Sequence, residues 1–373
     1  MKIAQIKLIN NNWEKFNNDI KPQLCLLFGN RFTIEKNLHA ISELKTKFPD
    51  SNIVTTSTAG SIIDEHLIDD SIIATCIEFE KTNIIAQSFS FDDFSGEQLG
   101  KNIAKAFKSE NLKYLLVLSN MGVNAGNILK GINEIFEGKV LVSGGVAGDD
   151  NRFEKSLVGL NNNITNNQIV AVGFYGNDIK ISHGSKGGWD TFGPIRKITK
   201  CLGNQLFEVD HKPVLNLYKE YLGDKAKDLP ASGLLYPFTI IDKNSNEPIV
   251  RGIQNIDEKT NSILLYGDVI EGQNIQLMRA NFNNLINGAG HSAKETFLNN
   301  KNEPELALLI SCVARRLVLK QLTEEELIET KKVLGNTVKI CGFYSYSELS
   351  PVVGNNACQL HNQTMTITTF SEN

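Results

Sequence analysis

The stretch that decides the fold reads K-I-C-G-F-Y-S-Y-S-E-L-S-P at residues 339–351, followed by V-V-G-N-N-A-C-Q-L-H-N-Q-T-M-T-I-T-T-F at residues 352–370. Residues 338–346 are rich in β-branched and aromatic side chains, which predicts a strand. Residues 349–356 predict a turn because they carry the turn formers Ser350, Pro351, Gly354 and Asn355. Residues 361–370 predict a second strand. The end of the chain is therefore expected to be built from strands.

The same stretch holds the densest cluster of chemically capable side chains: Cys341, Tyr344, Tyr346, Glu348, Cys358, His361, Asn362 and Gln363. In the predicted second strand, His361 has the parity of Met365 and Ile367, and side chains alternate faces along a strand. If those apolar residues face the core, His361 points inward. It then is a buried, hydrogen-bonded histidine, a ligand or metal contact, or the partner of Cys358 in a nucleophilic dyad. The C-x-x-H spacing is half of a zinc site, but no second pair lies nearby.

The composition is that of an ordinary globular protein. The chain has 373 residues, which suggests two domains or one large domain. Hydrophobic residues make up 41% and charged residues 21%, and the formal net charge is −4, so no strongly basic face for nucleic acid is expected. The N-terminus has no apolar run long enough for a signal peptide, and no run of ~18 apolar residues predicts a membrane span.

The cysteines predict a reducing, cytoplasmic location. The six cysteines are Cys25, Cys76, Cys201, Cys312, Cys341 and Cys358. No two of them lie within four residues, which excludes C-x-x-C metal sites and C-x-x-C-H haem attachment. Several stand inside apolar runs, where a small buried thiol is the ordinary interpretation.

The first 150 residues alternate predicted strands and helices, which favours a layered α/β arrangement. Strand-like pieces dominate afterwards. The predicted fold class is α/β, with α+β character in the C-terminal part: layered mixed β-sheets with flanking helices in two domains. We expect a lead-in over residues 1–22, a first domain over 23–215 and a second over 216–369. No internal repeat is visible in the sequence.

Individual elements are predicted from caps and periodicity. Residues 33–48 predict one helix, because apolar residues recur on one face. Ser95 and Gln98 form a capping box that begins the next helix. Residues 114–119 predict a buried strand and residues 125–136 a helix. Pro213 fits the first turn of a helix that ends at Leu222.

Glycine-bearing turns follow several predicted strands, at 57–60, 143–150 and 183–189. Ligands favour the carboxyl ends of strands in layered α/β sheets. Gly60, Gly145, Asp149 and His183 are therefore candidate ligand-binding residues, although each turn is equally explained as a tight connection. None of the turns is a dinucleotide or phosphate-binding motif, so nucleotide hydrolysis is not expected.

Three arginines and one tryptophan are further ligand-binding candidates. Arg315 and Arg316 stand at a predicted strand-to-helix transition, which suits an anionic ligand or a solvated surface pair. Arg251 interrupts a strand pattern, so it faces either a pocket or the solvent. Trp189, between glycines, either stacks on a ligand or covers the core. Tyr344, Glu348, Cys358 and Asn362 complete the candidate set.

The words G-F-Y-S-Y-x-E-x-S-P and C-x-L-H-N-Q-T-M-T resemble the end of the C-terminal half of FIST-domain proteins, a bacterial sensory family. Further similar words occur in the family's order along nearly the whole chain: S-T-A-G-S-I (57–62), S-G-G-V-A-G-D (143–149), G-G-W-D-x-F-G-P (187–194), P-V-L-x-L-Y-K-x-Y-L-G (213–223), E-G-Q-N-I-Q-L-M-R (271–279) and S-C-V-A-R-R-L-V-L (311–319). The departures are small: Thr56 replaces the usual cysteine, Ser61–Ile62 lacks the usual glutamate, and Ser347 stands where glycine is common.

The resemblance implies a FIST N domain over 23–215, a FIST C domain over 216–369, and a sensory role near histidine kinases, methyl-accepting proteins or cyclic-di-GMP enzymes. A stand-alone branch of the family senses nitric oxide through haem. Neutral imidazole is the natural iron ligand, so that branch implies haem b on His361, with His183 as the second candidate.

Three functional hypotheses remain open from the sequence. The first is a cytoplasmic haem sensor of nitric oxide that regulates a partner histidine kinase or cyclic-di-GMP enzyme. The second is a haem-free sensor of a small polar metabolite, such as an amino acid, gripped by arginines and glycine turns. The third is an enzyme using Cys358 or Cys312. We expect a sensor rather than an enzyme, and a homodimer because symmetric assembly is common among oligomers.

Overall fold

The protein is described by a computed structural model over residues 1–16, 19–91, 95–241, 249–298, 303–352 and 355–372. The α-helices are α1 (Arg31–Lys36), α2 (Leu38–Lys47), α3 (Gly96–Phe107), α4 (Ala125–Phe136), α5 (Val214–Leu222), α6 (Phe282–Glu295), α7 (Val313–Leu319) and α8 (Thr323–Leu334).

The strands of the first half are β1 (Lys2–Ile9), β2 (Asn12–Trp13), β3 (Leu24–Gly29), β4 (Asn52–Ser57), β5 (Ser61–Ile63), β6 (His66–Ile68), β7 (Ile72–Glu78), β8 (Asn83–Ser90), β9 (Leu112–Ser119), β10 (Leu141–Val146), β11 (Val158–Leu160), β12 (Asn163–Thr165), β13 (Gln168–Tyr175) and β14 (Ile179–Lys186). The remaining strands are β15 (Asp190–Leu202), β16 (Gln205–Val209), β17 (Lys212–Pro213), β18 (Phe238–Ile241), β19 (Ile249–Arg251), β20 (Ile253–Asp257), β21 (Ser262–Leu265), β22 (Asn274–Arg279), β23 (Leu306–Cys312), β24 (Lys339–Ser345), β25 (Ser347–Val352), β26 (Asn355–His361) and β27 (Met365–Glu372).

Most of the locally specified elements are confirmed. Helix α3 begins after Ser95, whose hydroxyl accepts a hydrogen bond from the Gln98 amide. Helix α4 covers the predicted range, and α5 begins directly after Pro213. The α/β class with mixed layered sheets and flanking helices is also confirmed. Strong caps and long apolar stripes fix such elements with little help from tertiary packing.

The single helix predicted over 33–48 is two helices. The break falls at Asn37, whose backbone leaves the helical region (φ −118°, ψ 29°). The Asn37 side-chain amide donates to the Thr33 carbonyl at 2.8 Å. Such side-chain bonds compete with the helical ladder, and asparagine therefore favours helix ends. Leu38, expected on the buried face, is 48% exposed as a result.

Two predictions about the chain ends are wrong. The polar lead-in over 1–22 contains β1, which pairs with β7 from Lys2 to Lys7. The turn predicted over 349–356 is largely occupied by β25 and β26; Gly354 lies outside the described residues.

His361 ends β26 in one sheet, whereas Met365 begins β27 in another. The parity argument that linked those two residues therefore fails, although His361 is buried.

Three sheets form the body of the protein and share one strand order. Sheet A runs β12-β11-β4-β3-β7-β1-β2, sheet B runs β26-β25-β10-β9-β13-β8, and sheet C runs β14-β27-β23-β24-β5-β6. At the centre of each lies one parallel pair: β3/β4, β9/β10 or β23/β24. A hairpin pairs antiparallel on one side of that parallel pair, and two antiparallel strands follow on the other side.

The shared order reveals an internal threefold repeat that the sequence does not display. Each repeat keeps its parallel pair and gives its hairpin to another sheet: β5/β6 joins sheet C, β11/β12 joins sheet A, and β25/β26 joins sheet B. The exchange is cyclic, so every sheet depends on two repeats. The expectation of no internal repeat was wrong, because burial patterns and topology persist where residue identity does not.

The exchange also ties the two halves of the chain together. Strands β5, β6 and β14 from the first half complete sheet C, while β25 and β26 from the second half complete sheet B. A second unit, which we call the lobe, is sheet D with order β19-β18-β22-β15-β16-β21-β20 together with α5. The lobe lies between β14 and β23 in the chain and includes the expected domain boundary between residues 215 and 216.

The buried side chains form separate cores on the two faces of the sheets. Along β9, Leu115 and Val117 pack on the side of α3 and α4, whereas Leu116 and Leu118 belong to a separate core. That central core also takes Leu308 of β23 and side chains of β3, so it lies between the inner faces of the three sheets. Strands buried on both faces are typical of parallel pairs covered by helices. The lobe has a core of its own.

Candidate functional site

A cleft opens where the lobe faces the body, at the carboxyl ends of the parallel strands β9 and β10. We call its larger part the main chamber; its volume is about 390 Å³. The body contributes the loop after β9, the start of α4 and the end of β10, and the lobe contributes Asn204, Gln254 and Tyr266. The carboxyl ends of parallel strands are where ligands bind in such sheets. Two separate units thus enclose one space.

Aromatic rings and side-chain amides line the main chamber. Tyr346 and Phe153 stack with ring centroids 4.3 Å apart and planes 16° apart. The Tyr346 hydroxyl oxygen accepts a hydrogen bond of 3.0 Å from the Phe153 amide. Asn124, Asn204 and Gln254 supply amides to the same space. Such a lining suits a small ligand with a flat or apolar part and several hydrogen-bonding groups.

The loop Asn120–Asn124 builds the body wall. The Asn120 amide donates to the Ser156 carbonyl, and its side-chain oxygen accepts from the Gly122 amide at 2.7 Å. Asn124 then caps α4, with its side-chain oxygen accepting from Asn127 N at 3.2 Å. These local side-chain bonds replace strand pairing after β9 and turn the chain into the helix. The start of α4 is thereby fixed at the rim of the main chamber.

A side chamber of about 170 Å³ continues the cleft past Asn124, Gly267 and Leu360, which line both spaces. Two predicted candidates, Arg251 and Cys358, line the side chamber. Lys130 and Asp268 also line it, and their side chains form an ion pair of 3.0 Å between α4 and the lobe. The prediction that Arg251 faces a pocket or the solvent is thus resolved in favour of a pocket.

Arg251 is half-buried and donates only to backbone carbonyls. Its Nη1 donates to the carbonyls of Leu360 at 3.0 Å and Val250 at 3.3 Å, and its Nε donates to that of Asp268 at 3.4 Å. Among the described residues, no carboxylate lies within 4.0 Å of this guanidinium. Burial lowers the pKa of Arg251 to about 10, partly offset by Asp268, so the side chain remains a cation at neutral pH.

Cys358 is a buried thiol, and its backbone is held by Asn133. The Asn133 amide donates to the Cys358 carbonyl at 2.8 Å, and its side-chain oxygen accepts from the Cys358 amide at 3.0 Å. Burial raises the pKa of the Cys358 thiol far above its usual range, and burial also raises that of Cys312. Nucleophilic cysteines need the opposite shift.

Glu348 lies fully buried on β25, opposite Gly145 of β10 and His361 of β26. Its carboxyl group accepts hydrogen bonds from Ser345 Oγ at 2.8 Å and from Thr364 Oγ1 at 2.9 Å. Burial raises the pKa of Glu348 to about 8, although these donors act in the other direction. The group is therefore mostly protonated at neutral pH. An isolated buried carboxylate would be far more costly.

The two candidate metal ligands, His183 and His361, lie on either side of Ser350. His183 Nε2 is 2.7 Å from Ser350 Oγ, and His361 Nε2 is 3.2 Å from the Ser350 carbonyl oxygen. Burial lowers the pKa of His183 to about 3 and that of His361 to about 4, so both imidazoles are neutral. Neither ring lines the two chambers of the cleft. His361 is a buried and His183 a half-buried hydrogen-bonded histidine.

The Nε2 atoms of these imidazoles are not free to act as axial ligands of haem. An axial ligand must offer a free ring nitrogen to a space that accepts the macrocycle. The Nε2 atoms of His183 and His361 instead contact Ser350 inside the protein. Within the described ranges, no group of three or more His, Cys, Asp or Glu side chains could hold a metal ion.

Arg315 and Tyr344 belong to a closed polar cluster rather than to the cleft. Arg315 is fully buried and pairs with Glu326, with Nη2 2.7 Å and Nε 2.9 Å from Oε2. The Tyr344 hydroxyl donates to the other Glu326 oxygen at 2.7 Å. Arg315 also donates to the carbonyls of Gly187 and Leu285. The predicted anionic ligand of Arg315 is thus replaced by Glu326 of the chain itself.

Asp149 is likewise satisfied inside the chain. It is fully buried and accepts from Arg31 Nε at 2.9 Å and from Arg152 Nη2 at 2.7 Å. These arginines hold the pKa of Asp149 below its usual value despite its burial. Gly145 packs so closely that an added Cβ would lie 2.8 Å from Ile310. Both residues therefore hold the structure together at these positions.

Arg316 lines a second cavity, which is separate from the cleft and measures about 530 Å³, and Gly60 lies next to Arg316. Gly60 has φ +124°, and an added Cβ would lie 2.7 Å from Arg316 Nη1. Arg316 donates to the Ala59 carbonyl at 2.6 Å and to Asp69 at 2.6 Å. The two neighbouring arginines, expected to act together, thus point into different environments.

Trp189 covers a hydrophobic core, whereas Asn362 contacts Ser347, a residue that lines the cleft. Trp189 is 7% exposed and packs in a cluster between lobe and body, with Nε1 donating to the Gln363 carbonyl at 2.8 Å. Asn362 donates to Ser347 Oγ at 3.2 Å, and Ser347 lines the main chamber. The buried side-chain oxygen of Asn362 has no partner among the described residues.

Two family models match this chain. The FIST N domain matches residues 23–212 and the FIST C domain matches residues 215–351. This chain belongs to the FIST family. FIST domains are sensory domains of signalling proteins that bind small ligands, and the protein carries both of them in the predicted order.

One curated relative and two solved structures were compared with this FIST protein. An uncharacterized protein of Methanocaldococcus jannaschii is 22% identical over 312 residues, and the match spans 76% of this chain but only 58% of that relative. A cyanuric acid hydrolase from A. caulinodans is 9% identical with a TM-score of 0.35, covering 94% of this chain and 90% of the other. A second cyanuric acid hydrolase is 11% identical with a TM-score of 0.33, covering 95% and 91%. Structural similarity this low carries no argument about activity.

None of the FIST protein's helices, within the residues that are described, is long and apolar enough to cross a membrane.

Most cleft residues of this FIST protein were not predicted from the sequence. Arg251, Cys358 and Tyr346 were singled out there, but Asn124, Phe153 and Tyr266 were not. The loop after β9 offered a signal, because polar residues directly follow a predicted buried strand there. The lobe residues gave none. Asn204, Gln254 and Tyr266 meet the body only through the folding of the lobe.

Proposed function

We propose that this FIST protein is a haem-free sensor of a small polar metabolite that binds in the main chamber. The observation that carries the proposal is that the chamber lies between body and lobe. A ligand that contacts both Tyr346 of the body and Tyr266 of the lobe binds one relative position of the two units best. A ligand shifts a conformational equilibrium only through such differential contacts.

A partner histidine kinase or cyclic-di-GMP enzyme is proposed to respond to this change in the relative position of body and lobe. The link rests on the family's sensory role rather than on any surface of the body or lobe. A cytoplasmic location and a homodimer complete the proposal, and size-exclusion chromatography with light scattering measures the latter directly.

The proposal includes no catalytic step. Support comes from Cys358 and Cys312, whose buried thiols have raised pKa values and are poor nucleophiles. We expect neither thiol to react with iodoacetamide in the native protein within the time that unfolded protein is fully labelled. Rapid native labelling of either residue, detected by peptide mass spectrometry, would reopen the enzyme hypothesis.

Calorimetry and thermal shift with a metabolite panel test the binding site. Two variants alter the lobe wall: Gln254→Ala and Tyr266→Phe. A matched control is Gln276→Ala, which changes a lobe glutamine that lies outside the chamber. We expect a bound metabolite to lose about tenfold or more in affinity in the chamber variants, which corresponds to about 1.4 kcal/mol, and to keep it in the control. Equal affinity in all variants would place the ligand elsewhere.

The haem sensor of nitric oxide stays a prediction with its own test. The protein is expressed with haem supply, reduced and exposed to nitric oxide while its absorption spectrum is recorded. A stoichiometric Soret band that shifts with the gas, and that is lost on replacing His361 and His183, would favour that hypothesis over ours. A colourless protein supports the metabolite sensor.

A further inference from the structure

The charge of the side chamber narrows the class of ligand, on the assumption that the proposed metabolite site is correct. Arg251 brings a permanent positive charge to this space, and its hydrogen bonds end on the carbonyls of Val250, Leu360 and Asp268. Buried cations are usually paired with a carboxylate. Within the described part of the chain, Arg251 has no such partner within 4.0 Å.

The other charges of the side chamber cancel. Lys130 and Asp268 form an ion pair of 3.0 Å, with exposed side-chain fractions of 58% and 40%. Lys130 therefore does not need a ligand, and Asp268 is not free to neutralise Arg251 fully. The Asp268 group that contacts Arg251 is its backbone carbonyl rather than its carboxylate. The charged side chains named in this space, Arg251, Lys130 and Asp268, sum to one positive charge.

Helix α4 adds to the positive potential. Its cap Asn124 and first-turn residue Gly126 line the side chamber, and the helix extends over 12 residues. A helix N-terminus favours negative charge because its first amides and its dipole point outward. An added Cβ at Gly126 would meet only the Asn124 oxygen at 3.1 Å and Leu360 at 3.9 Å, so the approach to the backbone is open.

The main chamber offers no counter-ion to a positive ligand group. Among its described lining residues there is no Asp and no Glu. Its polar groups are the amides of Asn124, Asn204 and Gln254 and the hydroxyls of Ser347, Tyr266 and Tyr346. The nearby buried carboxyl of Glu348 is occupied by Ser345 and Thr364. An ammonium group would lose hydration there without gaining a carboxylate, which is costly.

From this distribution we infer that the ligand is a small organic anion, whose carboxylate or phosphate binds Arg251 in the side chamber and whose uncharged polar body fills the main chamber. The amino acids suggested by the sequence are then disfavoured, because their ammonium group would meet neutral acceptors in the main chamber, while Asp268 in the side chamber is already paired with Lys130. Hydroxy acids, oxo acids and phosphate monoesters match both spaces.

Matched ligand triads test the inference with the wild-type full chain. The triads are lactate, lactamide and alanine; 3-phenyllactate, 3-phenyllactamide and phenylalanine; and 2-hydroxyglutarate, its diamide and glutamate. Glycerol 3-phosphate is compared with glycerol to separate a phosphate source from a carboxylate source. We expect at least one anion to bind at least tenfold more tightly than its amide and its amino acid in calorimetry.

Three outcomes are informative. Preference for an anion over both matched partners supports the inference. Equal or tighter binding of an amide or an amino acid in the cleft overturns the inference but keeps the proposed metabolite sensor. No binding by any probe or by the wider metabolite panel overturns the sensor proposal as well, so the two failures are distinguishable.

Variants locate the anion. Arg251→Gln is expected to weaken binding of the preferred anion about tenfold or more, since charge-assisted hydrogen bonds are among the stronger ones. Arg251→Lys keeps the charge but not the planar geometry, so its affinity for the anion should lie between those of the wild type and Arg251→Gln. Arg196→Gln is the control, because Arg196 is a lobe arginine paired with Asp210 outside the cleft. An unchanged affinity in folded Arg251→Gln would place the anion elsewhere. If Arg251→Gln does not fold, the binding of the matched ligand triads to the wild type decides the inference.

Discussion

Arg315 is fully buried and Arg251 is half-buried, but only Arg315 has a counter-ion among the described residues. Arg315 is fully buried and shares two short contacts with Glu326. Arg251 is half-buried beside a cavity and meets only backbone carbonyls. The first arrangement is complete without a ligand. The second leaves a positive charge at the point where body and lobe meet, and a ligand can complete it.

Glu348, His361 and the half-buried His183 differ from both arginines, because they are mostly uncharged at neutral pH. Burial raises the pKa of Glu348 to about 8 and lowers the pKa values of His183 and His361 to about 3 and about 4. All three are mostly neutral at pH 7. Arg251 cannot follow them, because its pKa of about 10 keeps it protonated. This contrast separates structural groups from the candidate ligand contact.

The largest expected effect comes from breaking the closed pair. Glu326→Gln leaves Arg315 buried without a counter-ion and should lower the free energy of unfolding by about 3–5 kcal/mol. Urea unfolding measures it. The control Glu325→Gln changes an exposed neighbour on the same helix and should cost under about 1 kcal/mol. Similar values for the two variants would mean that the pair is not the structural element we take it to be.

The second effect is the pH dependence due to Glu348. Between its ordinary pKa of 4.5 and the folded value of about 8, the native state holds a proton that the unfolded state has released. Stability should therefore fall as pH rises through this window, by at most about 1.4 kcal/mol per pH unit. Glu348→Gln should remove this component, so that its stability exceeds wild type increasingly from pH 5 to 8. If the free energy of unfolding depends on pH in the same way in the wild type and in Glu348→Gln, Glu348 is ionised in the folded protein.

The histidines should act with the opposite sign. The folded pKa values of His183 and His361 lie below the ordinary 6.5, so the unfolded state binds more protons as pH falls from about 6.5 towards 4. Stability is present above this window and is lost below it. His361→Gln should reduce that loss by about 1 kcal/mol between pH 6 and pH 5. The exposed His39→Gln serves as control, and an unchanged wild-type slope in His361→Gln would contradict the buried neutral imidazole.

The smallest effect on stability is expected at Arg251. Arg251→Gln removes bonds to three carbonyls but also removes an uncompensated charge, so the free energy of unfolding should change by about 1 kcal/mol or less. Urea unfolding without ligand measures this change, and Glu326→Gln is measured in the same way for comparison. A loss as large as that of Glu326→Gln would make Arg251 a structural residue and weaken the contrast with Arg315.

Local signals predicted a large part of the fold. The Ser95 cap, the stripe of α4 and the apolar run of β9 each specify an element through nearby residues. The break at Asn37 and the separation of His361 from Met365 were not predictable in this way. Both depend on which sheet or helix a residue joins, and period-two or helical patterns do not encode that choice.

For the candidate site, sequence reasoning found chemical types more reliably than roles. Arg315, Tyr344 and Asp149 were predicted as ligand-binding residues, but each is satisfied by partners within the chain: Glu326 for the first two, and Arg31 with Arg152 for Asp149. Arg251 and Cys358 reached the cleft. A single sequence shows a buried charge as an anomaly and cannot show whether a counter-ion is present.

The sequence by itself determined the FIST family, the alternating strands and helices, and the presence of a charge at Arg251, because each is written in contiguous residues. The tertiary structure alone decided the cyclic exchange of hairpins, the position of the lobe over β9 and β10, and the pairing of Arg315 but not Arg251. The physical reason is that paired strands such as β10 with β25 in sheet B and β14 with β27 in sheet C lie more than 100 positions apart in the chain, and that Glu326 reaches Arg315 only when two successive helices pack together.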